Sequence, residues 1–245
     1  MLDTHDTPLA LEHLYNARDL GGFPAETGKQ TLYRRFLRAD CPSDLRPEAI
    51  RFLKEYPVSL VIDLRGADKA ASEPGMLSEG VTVRVIPLIA NESEGFGDAS
   101  LLQSMSKNMG DFYIYMLENC REPLAEVFQL IADWPVRQCI LFHCMHGKDR
   151  TGLVAALLLK LVGVSDEDIS ETYAKSFSYL HPIVDRLIEK TPPEYQHVFR
   201  SDKINMEIFL DYFNATYNGD VRVYLRQLGL SDENIDSIHD RLMVS

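Results

Sequence analysis

The sequence has a single tryptophan, four cysteines and no apolar run long enough to cross a bilayer. Its longest candidate, Leu153 to Leu159, is closed by Lys160, whereas a span needs about twenty residues. Cys41, Cys120, Cys139 and Cys144 match no zinc spacing, and a chain of 245 residues needs no disulfide scaffold. A reducing compartment fits that pattern. Positive charge is scarce: 25 Lys and Arg against 37 Asp and Glu leave a net charge of −12. This argues against nucleic acid or an anionic membrane surface as the default partner. The segment MLDTHDTPLALEHL has neither a basic n-region nor a long apolar h-region, so no signal peptide is expected. No low-complexity tract or clear linker divides the chain.

What is present is an ordinary globular balance, 45% hydrophobic and 25% charged, and one organising stretch. Residues 138–161 read QCILFHCMHGKDRTGLVAALLLKL. Ile140, Leu141 and Phe142 suit a strand covered on both faces. Thr151 and Gly152 open a Leu- and Ala-rich run that suits a helix. A loop joining the two aims backbone N–H groups at one spot, and the helix dipole adds positive charge there. Such a nest suits phosphate oxygens. Arg150, at the loop's end, can grip two oxygens through its planar fork. Cys144, at its start, sits in the same field, which favours the reactive thiolate. Each residue also has a plainer reading: Cys144 as a core thiol, Arg150 in a surface ion pair, His143 as the end of a strand. Yet a core thiol needs no Arg six residues later, and His fills the end of an apolar strand poorly.

His143-Cys144-x5-Arg150-Thr151-Gly152 resembles the signature of the cysteine-dependent protein tyrosine phosphatase superfamily. The form HCxxGKDRTG, with Lys148 and Asp149 ahead of Arg150, is similar to the bacterial tyrosine/lipid phosphatase family. Two earlier stretches resemble the same family: NARDLGG at Asn16 to Gly22 with RRFLRAD at Arg34 to Asp40, and VIDLRGADKAASEPG at Val61 to Gly75. The motifs stand in family order, and the C-terminal third matches in helical character alone. The resemblance implies a phosphomonoester hydrolase acting through a phosphocysteine, first of all a protein-tyrosine phosphatase. It implies that His143 orients the Cys loop and that the Asn16 to Gly22 segment lies close to it. Some relatives are secreted, which keeps a secreted mature form beside the cytoplasmic reading.

Taken in order, Arg18 to Gly22 is a turn signal and Leu32 to Leu37 reads as a strand. Pro47 to Tyr56 predicts a short helix with Pro in its first turn. Val58 to Leu64 is the most strand-like segment, and Val81 to Pro87 alternates as another strand. Asp63 and Arg65 follow the first of these, either at the substrate or in an ion pair behind it. Residues 91–108 are irregular and suit a flap. Asp111 to Asp133 predicts one helix or two, with a break near Glu122-Pro123, and Asp133-Trp134-Pro135 reads as a helix stop. Gly163 to Ile169 and Gly229 to Ile235 are near copies, each a helix corner with an N-cap Ser. Residues 170–200, with Tyr173, Phe177, Tyr179, Tyr195 and Phe199, form either a lid or a packed appendage. The expected fold is α/β, one domain over residues 1–245. It has a central, mostly parallel sheet of roughly four or five strands flanked by helices. A helical portion, about 165–245, lies near the active site. Arg34, Arg35, Arg38, Arg65, Lys148 and Arg150 should make a positive pocket in an acidic body.

In the chemistry expected, Cys144 attacks phosphorus while Met145, His146, Gly147, Lys148 and Arg150 hold the phosphate oxygens. Thr151 either hydrogen-bonds the sulfur or caps the helix. Since loop and Arg150 supply the positive charge, no metal and no cofactor are called for. The general acid is open. Asp111 lies thirty-three residues before Cys144, a spacing seen in related enzymes, but starts a helix, where capping explains it. Asp98 lies in the irregular loop with no motif around it. Asp149 is preferred, although neighbouring cations favour its ionised form; its alternative role is to brace the loop against Arg65 or Arg38. Lys148 adds a point charge that puts phosphoinositides and inositol phosphates beside phosphotyrosine. Phosphotyrosine ranks first, because an acidic chain without a basic surface run has no evident means of docking on anionic membrane. The partners implied are thus a phosphorylated protein or phosphoinositide, with no nucleic acid and no stable membrane insertion. Oligomeric state leaves no signal. A non-enzyme alternative is a phosphate-binding module that has lost its chemistry. Sulfurtransferases and arsenate reductases share a Cys anion loop but lack the His-Cys-x5-Arg-Thr-Gly combination.

Overall fold

The computed structural model describes residues 5–72, 80–89 and 108–244. Its strands are β1 Arg18–Asp19, β2 Phe36–Ala39, β3 Val58–Asp63, β4 Thr82–Val85 and β5 Cys139–His143. The helices are α1 Pro47–Glu55, α2 Ala67–Ser72, α3 Met109–Asn119, α4 Arg121–Asp133, α5 Asp149–Leu161, α6 Asp166–Lys190, α7 Lys203–Tyr217, α8 Val221–Gln227 and α9 Asp232–Met243. Among the described residues the strands form one mixed, mostly parallel sheet in the order β1-β2-β5-β3-β4, with β1 antiparallel to β2. The α/β expectation holds.

β5 is central because it can be buried twice. Ile140 and Phe142 join a core with Phe36, Leu60, Ile62 and the apolar faces of the later helices. Cys139 and Leu141 face the other way and pack with Leu37, Val61 and, on α1, Ala49 and Leu53. An unalternating apolar run is what two covered faces require. In register, Ala39 and Asp63 both lie opposite His143. Three strands therefore end together at the point where the Cys loop starts.

Helix α5 follows that loop. Leu153, Val154, Leu157, Leu158 and Leu159 on successive faces are all fully buried, the mark of a helix enclosed by others. α3, α6, α8 and α9 pack on it. α3 in turn approaches α7 so closely that a Cβ on Gly110 would lie 2.7 Å from the Ile208 Cβ. Arg241 of α9 is fully buried and donates to the carbonyls of Ile131, Trp134, Val136 and Gln138, closing the end of α4. The two near-copy corners are built alike: Ser165 accepts from Asp168 N, and Ser231 from Asn234 N.

Several boundaries differ from the sequence reading. β2 begins at Phe36, not Leu32, because Arg34 takes a left-handed φ of +63° that no strand tolerates. The break between α3 and α4 falls at Cys120. Pro123 sits in the first turn of α4, where its missing N–H costs nothing. Arg18 and Asp19, read as part of a turn, form a two-residue strand. Residues 90–107, which hold most of the expected flap and Asp98, lie outside the described residues, as do residues 73–79.

Candidate active site

Cys144 follows the last residue of β5 and has 2% of its surface exposed. Beyond it the loop turns back onto β2. Gly147 takes φ +64°, and a Cβ there would lie 2.4 Å from the Ala39 carbonyl oxygen. Only glycine permits both. Three successive loop carbonyls are gripped from this side. Met145 O accepts from Cys41 N at 3.0 Å, and His146 O accepts from Asn16 Nδ2 at 2.9 Å. Gly147 O accepts from Asn16 Nδ2 at 3.1 Å and from the Arg38 guanidinium at 2.8 Å. In a trans peptide the N–H points opposite to the carbonyl of the same unit. The amides of His146, Gly147 and Lys148 therefore face away from β2, as an anion cradle at a helix N-terminus requires.

A buried network stands behind this grip. Asn16 N donates to Asp40 Oδ1 at 2.9 Å and Tyr15 N to Asp40 Oδ2 at 3.0 Å. Burial pushes the Asp40 carboxyl up to about 6, against the pull of those amides. Asn16 Oδ1 accepts from Arg18, whose guanidinium also reaches Asp6 at 3.2 Å, Thr172 O at 3.0 Å and Ser176 Oγ at 3.2 Å. Arg38 is held down at about 9, first by burial and then by Arg18, and so stays charged at neutral pH. The resemblance places the Asn16 to Gly22 segment close to the Cys loop, and Asn16 lies there; its own role in gripping the loop carbonyls has no signal in its residue type.

On the opposite side lies a closed pair. Arg65 Nε and Nη2 donate to both Asp63 oxygens at 2.7–3.1 Å, and Arg65 has no exposed surface. Burial raises the Asp63 pKa, but Arg65 and His143 together outweigh it and hold the carboxyl below its usual value. The geometry shows Asp63 and Arg65 as an ion pair, one of the two arrangements open from sequence. The His143 ring lies 3.8 Å from Asp63 Oδ2 and donates from Nδ1 to Cys144 O at 3.1 Å. Burial, opposed by Asp63, pulls the His143 pKa down to about 4.

The remaining loop residues diverge. Lys148, 1% exposed, turns its ammonium away from the loop, to Val198 O at 2.5 Å and Arg200 O at 2.9 Å. Asp149, the first residue of α5, accepts from the Tyr113 hydroxyl at 2.7 Å and lies 3.3 Å from Lys148 Nζ. Its braces are thus Tyr113 and Lys148, since Arg65 and Arg38 are engaged elsewhere. The Tyr113 hydroxyl also meets that of Tyr173 at 2.5 Å, and burial, then the Asp149 charge, keeps Tyr113 protonated. Thr151 is fully buried, and its hydroxyl makes no hydrogen bond among the described residues. Arg150 is half-buried in the first turn of α5. Asp111 lies in the first turn of α3, its amide capped by Asn108 Oδ1 at 2.8 Å. Arg34 and Arg35 do not join the expected positive pocket. They precede β2, at the end of the sheet away from the loop, where Arg35 reaches Arg137 O.

Residues 9–244 match the model of the tyrosine phosphatase family. A tyrosine-protein phosphatase of Nostoc commune is 36% identical over 125 residues, 50% of this chain and 42% of the relative. The triple specificity protein phosphatase PtpB of Mycobacterium tuberculosis is 26% identical over 190 residues, 66% of each chain. The chain therefore spans less than two thirds of the length of either relative. Among solved structures, that of P. aeruginosa TpbA aligns with a TM-score of 0.36 at 17% identity, covering 82% of this chain and 90% of that one.

Two outcomes follow from the geometry. Asn16→Ala removes the side-chain grip on the His146 and Gly147 carbonyls. It should lower kcat for an aryl phosphate about tenfold or more while KM changes little, because the cradle acts on charge developing in the transition state. An unchanged kcat would show that the loop keeps its peptide planes without Asn16. His143 sets a pH effect. Its folded pKa of about 4 lies below the 6.5 of the unfolded chain. As pH falls below about 6.5 the unfolded chain gains a proton that the folded one refuses, so stability drops until about pH 4 and then levels. Urea titrations of His143→Gln should show a slope in this window shallower by up to about 1.4 kcal/mol per pH unit. Parallel curves for the two proteins would remove His143 as the cause.

Proposed function

The chain belongs to the tyrosine phosphatase family, and on that premise we propose that it hydrolyses phosphomonoesters through a phosphocysteine, with phosphotyrosine in proteins as its first substrate. The observation that carries this reading is the placement of Cys144 at the head of a loop whose carbonyls are turned outward and whose end is a helix N-terminus bearing Arg150. The Cys144 sulfur forms a bond to phosphorus as the ester P–O bond breaks. The electron pair leaves with the ester oxygen, which takes a proton from the general acid. Water then attacks phosphorus, the S–P bond breaks, and the thiolate returns as phosphate departs. The amides of residues 145–148 and the Arg150 fork hold the equatorial oxygens throughout.

The other residues take supporting parts in this proposal. Thr151 offers the departing sulfur a buried hydroxyl that makes no hydrogen bond among the described residues. His143 fixes the Cys144 peptide, and the Asp63–Arg65 pair holds His143. Asp149 is the proposed acid, and to act it must exchange Tyr113 for the ester oxygen. Nothing in this sequence of steps calls for a metal or cofactor. A single cytoplasmic domain is the setting proposed. No helix of the described residues is long and apolar enough to cross a membrane. An inositol phosphate or phosphoinositide is the alternative substrate, although the Lys148 ammonium that suggested it is engaged by Val198 O and Arg200 O.

The test is phosphate release from phosphotyrosine, phosphoserine and phosphothreonine peptides, soluble inositol phosphates and phosphoinositides. Cys144→Ser should lose turnover of every substrate the wild type cleaves and still bind phosphate analogues; retained turnover would refute the nucleophile. For Asp149→Asn the leaving group decides. A true acid's loss slows phenyl phosphate far more than a nitrophenyl ester, whereas equal slowing of both would make Asp149 a brace only.

A further inference from the structure

Asp6 precedes every motif in the sequence, yet it is buried, with 4% of its surface exposed. Its backbone takes a left-handed φ of +51°, a region that Asp and Asn enter more readily than most residues. Its neighbours dock along the next stretch of chain: His5 packs edge-on against Phe23, and Leu9 N donates to Ala17 O at 2.8 Å. Thr172 Oγ1 donates to Asp6 Oδ1 at 2.5 Å and Lys175 Nζ to Oδ2 at 2.6 Å, both from α6, while Arg18 Nε lies 3.2 Å from Oδ1. Burial raises the Asp6 pKa, but Arg18, then Lys175 and Thr172, outweigh it and hold the carboxyl below its usual value. Arg18 needs such a partner. It is fully buried and acts on the buried Arg38 as a like charge. Burial disfavours the Arg18 charge, and Asp6 opposes that most strongly, ahead of Tyr179 and Asp40. Asp40 is itself pushed up to about 6 by burial, so Asp6 is the counter-charge that persists as pH falls.

We infer that Asp6 is a positioning residue for the phosphate loop: its carboxylate fixes the Arg18 guanidinium, Arg18 fixes the Asn16 amide, and Asn16 holds the carbonyls of His146 and Gly147. The inference rests on the phosphatase reading of that loop. The middle link is directional. Asn16 Oδ1 accepts from Arg18, so the Nδ2 end is the one presented to His146 O at 2.9 Å and Gly147 O at 3.1 Å. Turned end for end, the amide would set an acceptor against two carbonyls. The Arg18 Nη1 donor opposes that turn, and Asp6 fixes where the donor lies. The other acceptors of Arg18, Thr172 O at 3.0 Å and Ser176 Oγ at 3.2 Å, are neutral, and a contact between charged groups is the stronger hold. Were Asp6 only an anchor for residues 5–9, its loss would lower stability and leave the turnover of folded molecules alone.

Steady-state kinetics on an aryl phosphate test this, with urea titration of each protein beside them. Asp6→Asn removes the charge and keeps the size and the left-handed backbone. It should lower kcat about tenfold, because a misaimed support disturbs the reacting geometry, and leave KM within about twofold. In an Asn16→Ala background the same substitution should lower kcat by less than about twofold more, since residues in one chain of contacts are not additive. Lys175→Met removes the half-exposed partner of Asp6 and leaves Arg18 in place; it should lower stability and spare kcat. An unchanged kcat in Asp6→Asn, full additivity with Asn16→Ala, or an equal kcat loss in Lys175→Met overturns the inference and leaves the phosphatase reading standing. A wild type that turns over no phosphate ester overturns that reading and the inference with it. Should Asp6→Asn not fold, Thr172→Val decides. It deletes the hydroxyl on Asp6 Oδ1 and keeps the shape, so kcat should fall about threefold at constant KM, and an unchanged kcat refutes the positioning role.

Discussion

The site depends on which way three peptide planes face. The carbonyls of Met145, His146 and Gly147 are drawn toward Cys41, Asn16 and Arg38, groups more than a hundred residues earlier in the chain. Each such bond is worth about 1 kcal/mol net, but a buried carbonyl left unpaired costs about 1–3 kcal/mol. Flipping one plane would strand a carbonyl on the loop side and orphan the donor behind it. The contact of Gly147 with the Ala39 backbone removes the space for such a flip. The loop amides are thus held in one orientation, the preorganisation that the proposed reaction uses.

The groups that enforce this are charged and buried, an arrangement that is costly unless every charge is paired. Arg18, Arg38 and Arg65 are enclosed almost completely, and each has a fixed acceptor. Their contacts form a ring. Arg18 joins Asn16, and so the back of the loop, to Thr172 and Ser176 on α6. α6 leads into residues 193–200, and these return to the front of the loop at Lys148. The loop is therefore clasped from both sides by one continuous length of chain.

The parts of this legible in sequence are those whose signal is local. An unalternating apolar run beside a Leu- and Ala-rich run reported β5 and α5, since double burial is written in the run itself. Pro47 likewise marked α1. Direction is another matter. Charge count suggested a pocket rimmed by six cations, yet Arg65 closes on Asp63, Lys148 turns to Val198 and Arg200, and Arg34 and Arg35 lie at the other end of the sheet. Sequence supplies the charge of a side chain, whereas its aim is set by partners two to more than fifty positions away. The left-handed φ of Arg34, which displaced β2, has no signature in residue type.

Lys148 and Asp149 show how much follows from aim. Adjacent in sequence, they bind opposite structures, one the segment after α6 and the other Tyr113 on α3. Yet they also touch each other at 3.3 Å. The orientation of the Asp149 carboxylate is therefore tied, through Lys148, to the segment that follows α6 as well as to Tyr113 on α3.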